Sequence, residues 1–335
     1  MSTRIGINGF GRIGRNFVRA ALARNSDLSV VAVNDLTSAD LLAHLLKYDS
    51  VLGRLGREVT VTAGGIAVDG QEIAVTSEKD LSVLDWGRYG VDIVLEATGK
   101  FNTGAEAGKH LANGARKVLV SAPTKGEDVT LVLGVNDEAY DPDAHHVISM
   151  ASCTTGCVAP MARILLESFG IEQGYMTTVH AYTNDQRTLD FVHKDPRRAR
   201  AAAVNIIPTS TGAARSVGLV IPALKGRLDG LSLRVPVPDG SVTDLVCILE
   251  RETTRDEVNE AFRAAAGTAG LRGILTYTED PIVSSDIVGD PHSCTIDGAA
   301  TMAHGRVAKV LGWYDNEWGY SNRLVELAEI IAAKL

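Results

Sequence analysis

Apolar and polar positions along the first 150 residues follow two periods. Short apolar runs at Ile5–Asn8, Leu28–Asn34, Val91–Ala97, Lys117–Ser121 and His146–Ser149 read as strands. Between them the apolar residues recur at helical spacing. Ile13, Phe17, Val18, Ala21 and Leu22 share one face of Arg12–Arg24, Ser38–Leu46 has the same period, and Thr103–Asn113 reads as a helix ending at Gly114. Glu58–Val75, punctuated by Gly-Gly and Asp-Gly, is expected to add two or three short antiparallel strands. Strands alternating with helices predict parallel βαβ units.

After Cys153 the pattern changes. A helix over Cys153–Ser168 stops at Gly170. Strand-like runs follow at Tyr175–Ala181, Ser232–Pro236, Ser241–Glu250, Gly273–Thr278, Ser293–Ile296 and Arg306–Tyr314. One clear helix interrupts them, opened by the capping box Thr254-Arg-Asp-Glu257 and running to Ala266. Such a run of strands predicts a largely antiparallel mixed sheet with helices on one face. The stretch from Tyr182 to Asn205 carries five basic residues and neither period, and a loop of that length in a compact domain is usually functional. Ser321–Lys334 reads as an amphipathic helix. The expected fold is α/β: a doubly wound, mostly parallel Rossmann sheet from residues 1–150 and 319–335, and a second, α+β domain over residues 151–318.

Composition sets the functional class. The 335 residues are 45% hydrophobic and 22% charged, an ordinary globular balance with room for two domains. A net charge of −8 argues against general binding to nucleic acid or membrane surfaces. Four cysteines without metal-ligand spacing argue against a disulfide scaffold and against a metal site. With no targeting segment or bilayer-length apolar run, the expected setting is the reduced cytoplasm.

Two motifs carry chemistry. Gly9-Phe-Gly11-Arg-Ile-Gly14 fits the dinucleotide fingerprint, and it follows a strand and opens a helix. The glycines permit a tight turn, close approach of a pyrophosphate and helix-on-strand packing, while the helix N-terminus offers free N–H groups. Asp35, at the end of the next strand, is placed to accept hydrogen bonds from a ribose diol, and its charge favours NAD over NADP. Cys153 starts a helix after an apolar strand, a position expected to lower a thiol pKa, with Ser152, Thr154 and Thr155 beside it as cap-type residues. His180, at a strand end entering the long basic loop, is the candidate base. Cys157, Cys247 and Cys294 read as packed core residues. An activated thiol beside a hydride acceptor suggests aldehyde oxidation through a thiohemiacetal and a thioester.

Along essentially its full length the chain resembles the phosphorylating glyceraldehyde-3-phosphate dehydrogenase family. The motifs that carry the resemblance include Ile5-Gly-Ile-Asn-Gly-Phe-Gly-Arg-Ile-Gly-Arg15, Ala151-Ser-Cys-Thr-Thr155, Val179-His-Ala-Tyr-Thr183, Ile207-Pro-Thr-Ser-Thr-Gly-Ala213 and Trp313-Tyr-Asp-Asn-Glu-Trp-Gly-Tyr320. The resemblance implies that Cys153 is the nucleophile and His180 its base and acid. It implies that Thr183, Arg198 and Arg234 surround the substrate phosphates and that Ser152, Thr154, Thr211 and Gly212 form an inorganic-phosphate pocket. It further implies NAD contacts from Arg12, Ile13, Asp35, Lys79, Ser121 and Asn316, a homotetramer, and D-glyceraldehyde 3-phosphate and inorganic phosphate as substrates. The family generally has Asn where this chain has Gly156, and Leu-Pro where it has Phe191-Val192. Two other readings stand beside it: a related phosphorylated-aldehyde dehydrogenase of the erythrose-4-phosphate type, and a non-catalytic NAD-sensing or RNA-binding protein on the same fold.

Overall fold

In the computed structural model, which describes residues 2–335, the first apolar run forms strand β1 (Arg4–Asn8), buried after Arg4. The following periodic segment forms helix α1 (Arg12–Arg24), and the alternation continues through β2 (Ser29–Asn34) and α2 (Ala39–Lys47). A small hairpin, β3 (Tyr48–Asp49) and β4 (Gly53–Arg54), leads to β5 (Val59–Thr62), β6 (Gly65–Val68) and β7 (Gln71–Thr76). Then come β8 (Ile93–Glu96), two short helices α3 (Gly104–Ala107) and α4 (Lys109–Ala112), β9 (Lys117–Val120), β10 (Val129–Thr130) and β11 (Val147–Ser149).

These strands build a nine-stranded sheet in the order β10-β11-β9-β8-β1-β2-β7-β6-β5. It is parallel from β10 to β7, and only β6 runs the other way, pairing antiparallel with both β7 and β5. β1 and β8 bury nearly every residue because helices cover both faces of such a sheet. The strand order reverses around β1, which places the glycine-rich turn after β1 at the crevice where doubly wound sheets take ligands.

The second sheet follows α5 (Cys153–Phe169). It comprises β12 (Ile171–Ala181), β13 (Ile207–Ser210), β14 (Leu228–Val235), β15 (Ser241–Leu249), β16 (Leu275–Thr278), β17 (Cys294–His304) and β18 (Val307–Tyr314), in the order β13-β14-β12-β15-β18-β17-β16. Four of its pairings are antiparallel and two, β12 with β14 and β16 with β17, are parallel. Helices α6 (Ala213–Val220) and α7 (Arg255–Ala266) pack with α5, and α8 (Trp318–Ala332) ends the chain. The chain divides into two units. One holds the residues up to Leu131 with Glu138–Ala151 and Ser321–Leu335, and the other holds Val132–Asp137 and Ser152–Tyr320.

Strands β10 and β13 were not expected, and three further elements differ from the sequence reading. The helix expected over Thr103–Asn113 is two single turns meeting at Gly108, a residue that favours helix poorly. Helix α6 carries its period on small residues, Ala213, Ala214 and Val217, within eight residues, too short and too mild to stand out. Strand β17 runs on to His304 because an irregularity between Asp297 and Met302 interrupts its alternation without ending its pairing.

Within α5, Gly156 occupies a helix interior, and a Cβ built on it meets nothing within 4 Å. Gly156→Ala is therefore expected to stabilise the protein by about 0.5–1 kcal/mol, since alanine restricts the unfolded chain and fills open space. Urea denaturation checks this; an unchanged or lower midpoint contradicts it.

Candidate active site

In the first unit, the turn after β1 is built for close approach. Gly9 takes φ +92°, and a Cβ there would lie 2.7 Å from Thr98 N, so only glycine fits. A Cβ on Gly14 would lie 2.3 Å from Gly9 O, whereas one on Gly11 meets nothing within 4 Å. Gly11 caps α1 without a side-chain hydrogen bond, and the first turn holds no acid. These glycines and the start of α1 fit a dinucleotide pyrophosphate.

Asp35 reaches the same turn, accepting from Phe10 N at 2.8 Å. Arg12 lies beside it in sequence but is gripped by Asp49 through two hydrogen bonds of 2.8 and 3.3 Å. Ile13 is half-buried and Lys79 exposed. Ser121 donates through both N and Oγ to Glu96 O, each at 3.0 Å.

The strand ends behind the turn are fixed by a buried network that sequence reasoning missed. Asn8 Nδ2 donates to Glu96 Oε2 at 2.6 Å, and Asn34 Nδ2 donates to Asn8 Oδ1 at 2.8 Å. Trp86 Nε1 donates to His110 Nδ1 at 2.9 Å, which leaves His110 Nε2–H to donate to Glu96 Oε2 at 3.1 Å.

In the second unit, the N-cap of α5 is Ser152, whose Oγ accepts from Thr155 N at 3.1 Å. Cys153 follows as the first helical residue. Its Sγ lies 3.5 Å from Nε2 of His180 at the end of β12. The parallel pairing of β12 with β14 sets His180 directly beside Arg234. His180 Nδ1 is 2.7 Å from Ala181 O, and Arg234 Nη1 is 3.0 Å from Nδ1 and 3.1 Å from the same carbonyl. With Nδ1–H donating to Ala181 O, the Nε2 lone pair faces the thiol.

Burial decides the charges. It pushes the Cys153 thiol up to about 11, against the Arg234 charge and the Thr154 hydrogen bonds, which act to lower it. The lowered thiol expected from the helix N-terminus is thus not found; desolvation is the largest influence and acts upward. Burial, with Arg234, holds His180 down at about 3. Taken singly, each group is thus disfavoured as a charge by its surroundings. Tyr314 completes the surround. Its OH lies 2.8 Å from both Thr154 Oγ1 and Thr178 Oγ1, and its ring meets His180 edge-on at 5.9 Å. Neither Tyr314 nor Thr178 was marked by the sequence pattern, which gives Tyr314 the look of an ordinary strand-end aromatic.

The other predicted residues gather through Arg198. It forms an ion pair with Asp185, donates to Thr209 Oγ1 at 2.9 Å and donates to Ser210 O at 3.2 Å. The first contact holds the turn that starts at Thr183. The other two hold the strand end that leads into Thr211 and Gly212. Thr211 Oγ1 accepts from Ala213 N at 3.2 Å, and a Cβ on Gly212 would meet open space. Arg234 Nε is buried with no hydrogen-bond partner, a donor left for a ligand. Asn316, 4% exposed, accepts from Ser241 Oγ at 2.6 Å.

Comparison with known proteins adds a family. Residues 3–104 match "Glyceraldehyde 3-phosphate dehydrogenase, NAD binding domain", and residues 152–316 match the C-terminal domain of the same enzyme. The chain is 62% identical to the glyceraldehyde-3-phosphate dehydrogenase of Streptomyces coelicolor, with both chains wholly covered. It is 60% identical to that of Geobacillus stearothermophilus, covering all of this chain and 99% of the relative.

Because Arg234 opposes the desolvation of Cys153, its loss should raise the thiol further. Arg234→Met is expected to slow alkylation of Cys153 by iodoacetamide about tenfold between neutral and mildly alkaline pH, the effect of about one unit on the thiol. In the parent chain the rate should climb with pH toward about 11. A rate that levels off near neutrality, or equal rates in the two proteins, contradicts this electrostatic account.

Proposed function

The chain belongs to the glyceraldehyde-3-phosphate dehydrogenase family, and from that premise we propose how its own residues carry the reaction. The reaction is the NAD-dependent, phosphorylating oxidation of D-glyceraldehyde 3-phosphate to 1,3-bisphosphoglycerate. The observation that carries the residue assignment is the 3.5 Å contact between Cys153 Sγ and His180 Nε2, beside Arg234.

Cys153 Sγ adds to the aldehyde carbon while its proton passes to His180 Nε2. The imidazolium so formed returns that proton to the carbonyl oxygen, giving a thiohemiacetal. His180, neutral again, takes the hydroxyl proton as the carbonyl re-forms. NAD, when bound, supplies the two-electron acceptor that makes the product a thioester. Inorganic phosphate then attacks the acyl carbon, Cys153 sulfur leaves and takes back the proton on His180, and the proton that the phosphate carried is released to solvent. Ala181 O, already hydrogen-bonded to Nδ1, steadies the imidazolium at each stage, and Arg234 favours the departing thiolate.

The phosphate groups are assigned to Arg234, Arg198 and Thr183, and to Ser152, Thr154, Thr211 and Gly212. Guanidinium forks and hydroxyls suit the oxygens of a phosphate. The dinucleotide is assigned to Gly9, Gly11, Arg12, Ile13, Gly14, Asp35, Lys79 and Ser121, with Asn316 orienting the nicotinamide carboxamide. The dependence on phosphate separates this reading from an enzyme that hydrolyses its thioester.

A homotetramer in the cytoplasm is the assembly and setting we assign. In its support, Tyr175, Leu231 and Met302 on the second sheet and Phe191 and Val192 on the long loop are large apolar side chains left exposed on the single chain. Among the described residues no helix is long and apolar enough to cross a membrane.

Three measurements check these assignments. Steady NADH formation from D-glyceraldehyde 3-phosphate should require phosphate, and Cys153→Ser should abolish it while NAD still binds; phosphate-independent turnover would favour the hydrolytic alternative. Asp35→Ser should narrow the preference for NAD over NADP by on the order of tenfold in kcat/KM, since a like charge facing the 2′-phosphate is removed. Sedimentation velocity should give a single species of four chains, and a monomer at micromolar concentration would refute the assembly.

A further inference from the structure

The segment between β14 and β15 runs beside the segment between β18 and α8, and Ser241 pairs with Tyr314 where the two strands meet. Two acids are buried in this corner, Asp239 and Asp315, each 1% exposed. They are not equivalent. Asp315 accepts three backbone hydrogen bonds, from Gly289 N at 2.8 Å, Glu317 N at 2.9 Å and Trp318 N at 2.6 Å. Asp239 accepts one, from its neighbour Gly240 N at 2.8 Å, and its Oδ2 has no donor.

The charges that face Asp239 most strongly, Asp315 and Glu317, are both negative, and a charge on Asp239 would also act to raise the Cys153 thiol. Two carboxylates in one dry site do not both ionise. The backbone donors favour charge on Asp315, so the proton belongs to Asp239, on the Oδ2 that no other group engages. Burial and the two neighbouring acids push Asp239 up to about 8.

The same two segments are pinned a second time by the site. Ser241 Oγ accepts from Ala181 N at 3.1 Å, the residue after His180, and donates to Asn316 Oδ1 at 2.6 Å. Asp239 stands two residues before Ser241, and Asp315 immediately precedes Asn316. A bond between the acids therefore fixes the spacing on which the Ser241–Asn316 contact depends.

We propose that Asp239 is a positioning residue: it keeps its proton at neutral pH, donates it to Asp315, and so holds the Asn316 amide in place for the nicotinamide carboxamide. The proposal rests on the reading of Asn316 given above. When the proton leaves in mild alkali, two adjacent carboxylates repel, the segments part and the amide loses its fixed orientation. An asparagine at position 239 keeps an N–H donor toward Asp315 at every pH, whereas alanine has none.

The sign of the stability effect is fixed. An acid whose folded pKa lies above its unfolded value binds a proton in the folded state only, so stability falls as pH rises from about 4 to about 8. Over that window the equilibrium constant for unfolding rises about tenfold per pH unit on account of this group. The test uses the whole chain and its Asp239→Asn, Asp239→Ala and Asn316→Ala variants. Unfolding the parent chain near pH 6.5 should release about one proton more than unfolding Asp239→Asn, and equal proton counts overturn the proposal.

NAD binding, measured by calorimetry between about pH 6.5 and about pH 9, gives the second readout. The parent Kd should rise about tenfold, the loss of one amide–amide hydrogen bond, while Asp239→Asn stays flat and Asp239→Ala is weak throughout. If Asp239→Asn follows the parent pH course while Asn316→Ala binds NAD poorly, Asp239 has no such role. If Asn316→Ala binds NAD like the parent, the reading of Asn316 itself is wrong, whatever Asp239 does.

Discussion

Burial around Cys153 disfavours charge on every group it encloses, and the second unit is arranged around that fact. The thiol is raised, the imidazole of His180 is lowered, and the Tyr314 hydroxyl is raised, all chiefly by desolvation. A neutral thiol and a neutral imidazole rest in contact at little electrostatic cost. The groups that meet charge as bonds change are already in place. Arg234 Nη1 and His180 Nδ1 both lie within hydrogen-bonding distance of Ala181 O, so one carbonyl ties together the cation that favours the thiolate and the ring that carries its proton. Preorganised dipoles of this kind are worth most where water is excluded.

The first unit solves a different problem with the opposite device. Its parallel strands end in a cluster of buried polar side chains, Asn8, Asn34, Glu96 and His110, each 4% exposed or less. Left unpaired they would destabilise the fold; paired with one another and with Trp86 they fix the ends of β1, β2 and β8. The glycine-rich turn leaves β1 from that anchored point. Its conformation is thus held by side chains buried behind it, and the glycines contribute only the absence of a Cβ where backbone must come close.

Much of this was legible in the chain, and the part that was not has a common cause. The parallel sheet, the turn at Gly9–Gly14, the Cys153 helix and the His180 strand end were all readable, because each rests on local periodicity or on a motif within a few residues. The network behind the turn was hidden because its members lie at positions 8, 34, 86, 96 and 110, and only the strand order brings them together. Tyr314 and Thr178 were hidden for the same reason: each looks apolar or neutral along its own strand and gains its meaning from the neighbouring one. The upward direction of the Cys153 shift was not legible because helix-start geometry is a local feature, whereas desolvation depends on residues that the fold brings around the thiol.

The two parts of the candidate site also differ in how firmly they are held, and the difference suits their tasks. Cys153 and His180 are set by a helix start and by the register of a buried strand pair, where a shift of one residue would turn the side chains to the other face. Bond-making atoms require that precision. Of the groups assigned to phosphate, Thr183, Thr211 and Gly212 instead come from turns tethered through Arg198 to Asp185, Thr209 and Ser210. Nearly half of the Asp185 side chain is exposed, so its ion pair with Arg198 is open to competition from a doubly charged phosphate in water. Asp185 thus holds Arg198 in place by an interaction that an incoming dianion can outbid, which keeps the guanidinium ordered between ligands without committing it to the protein. A deeply buried partner would have fixed Arg198 more tightly and, by the same measure, withheld it from the substrate.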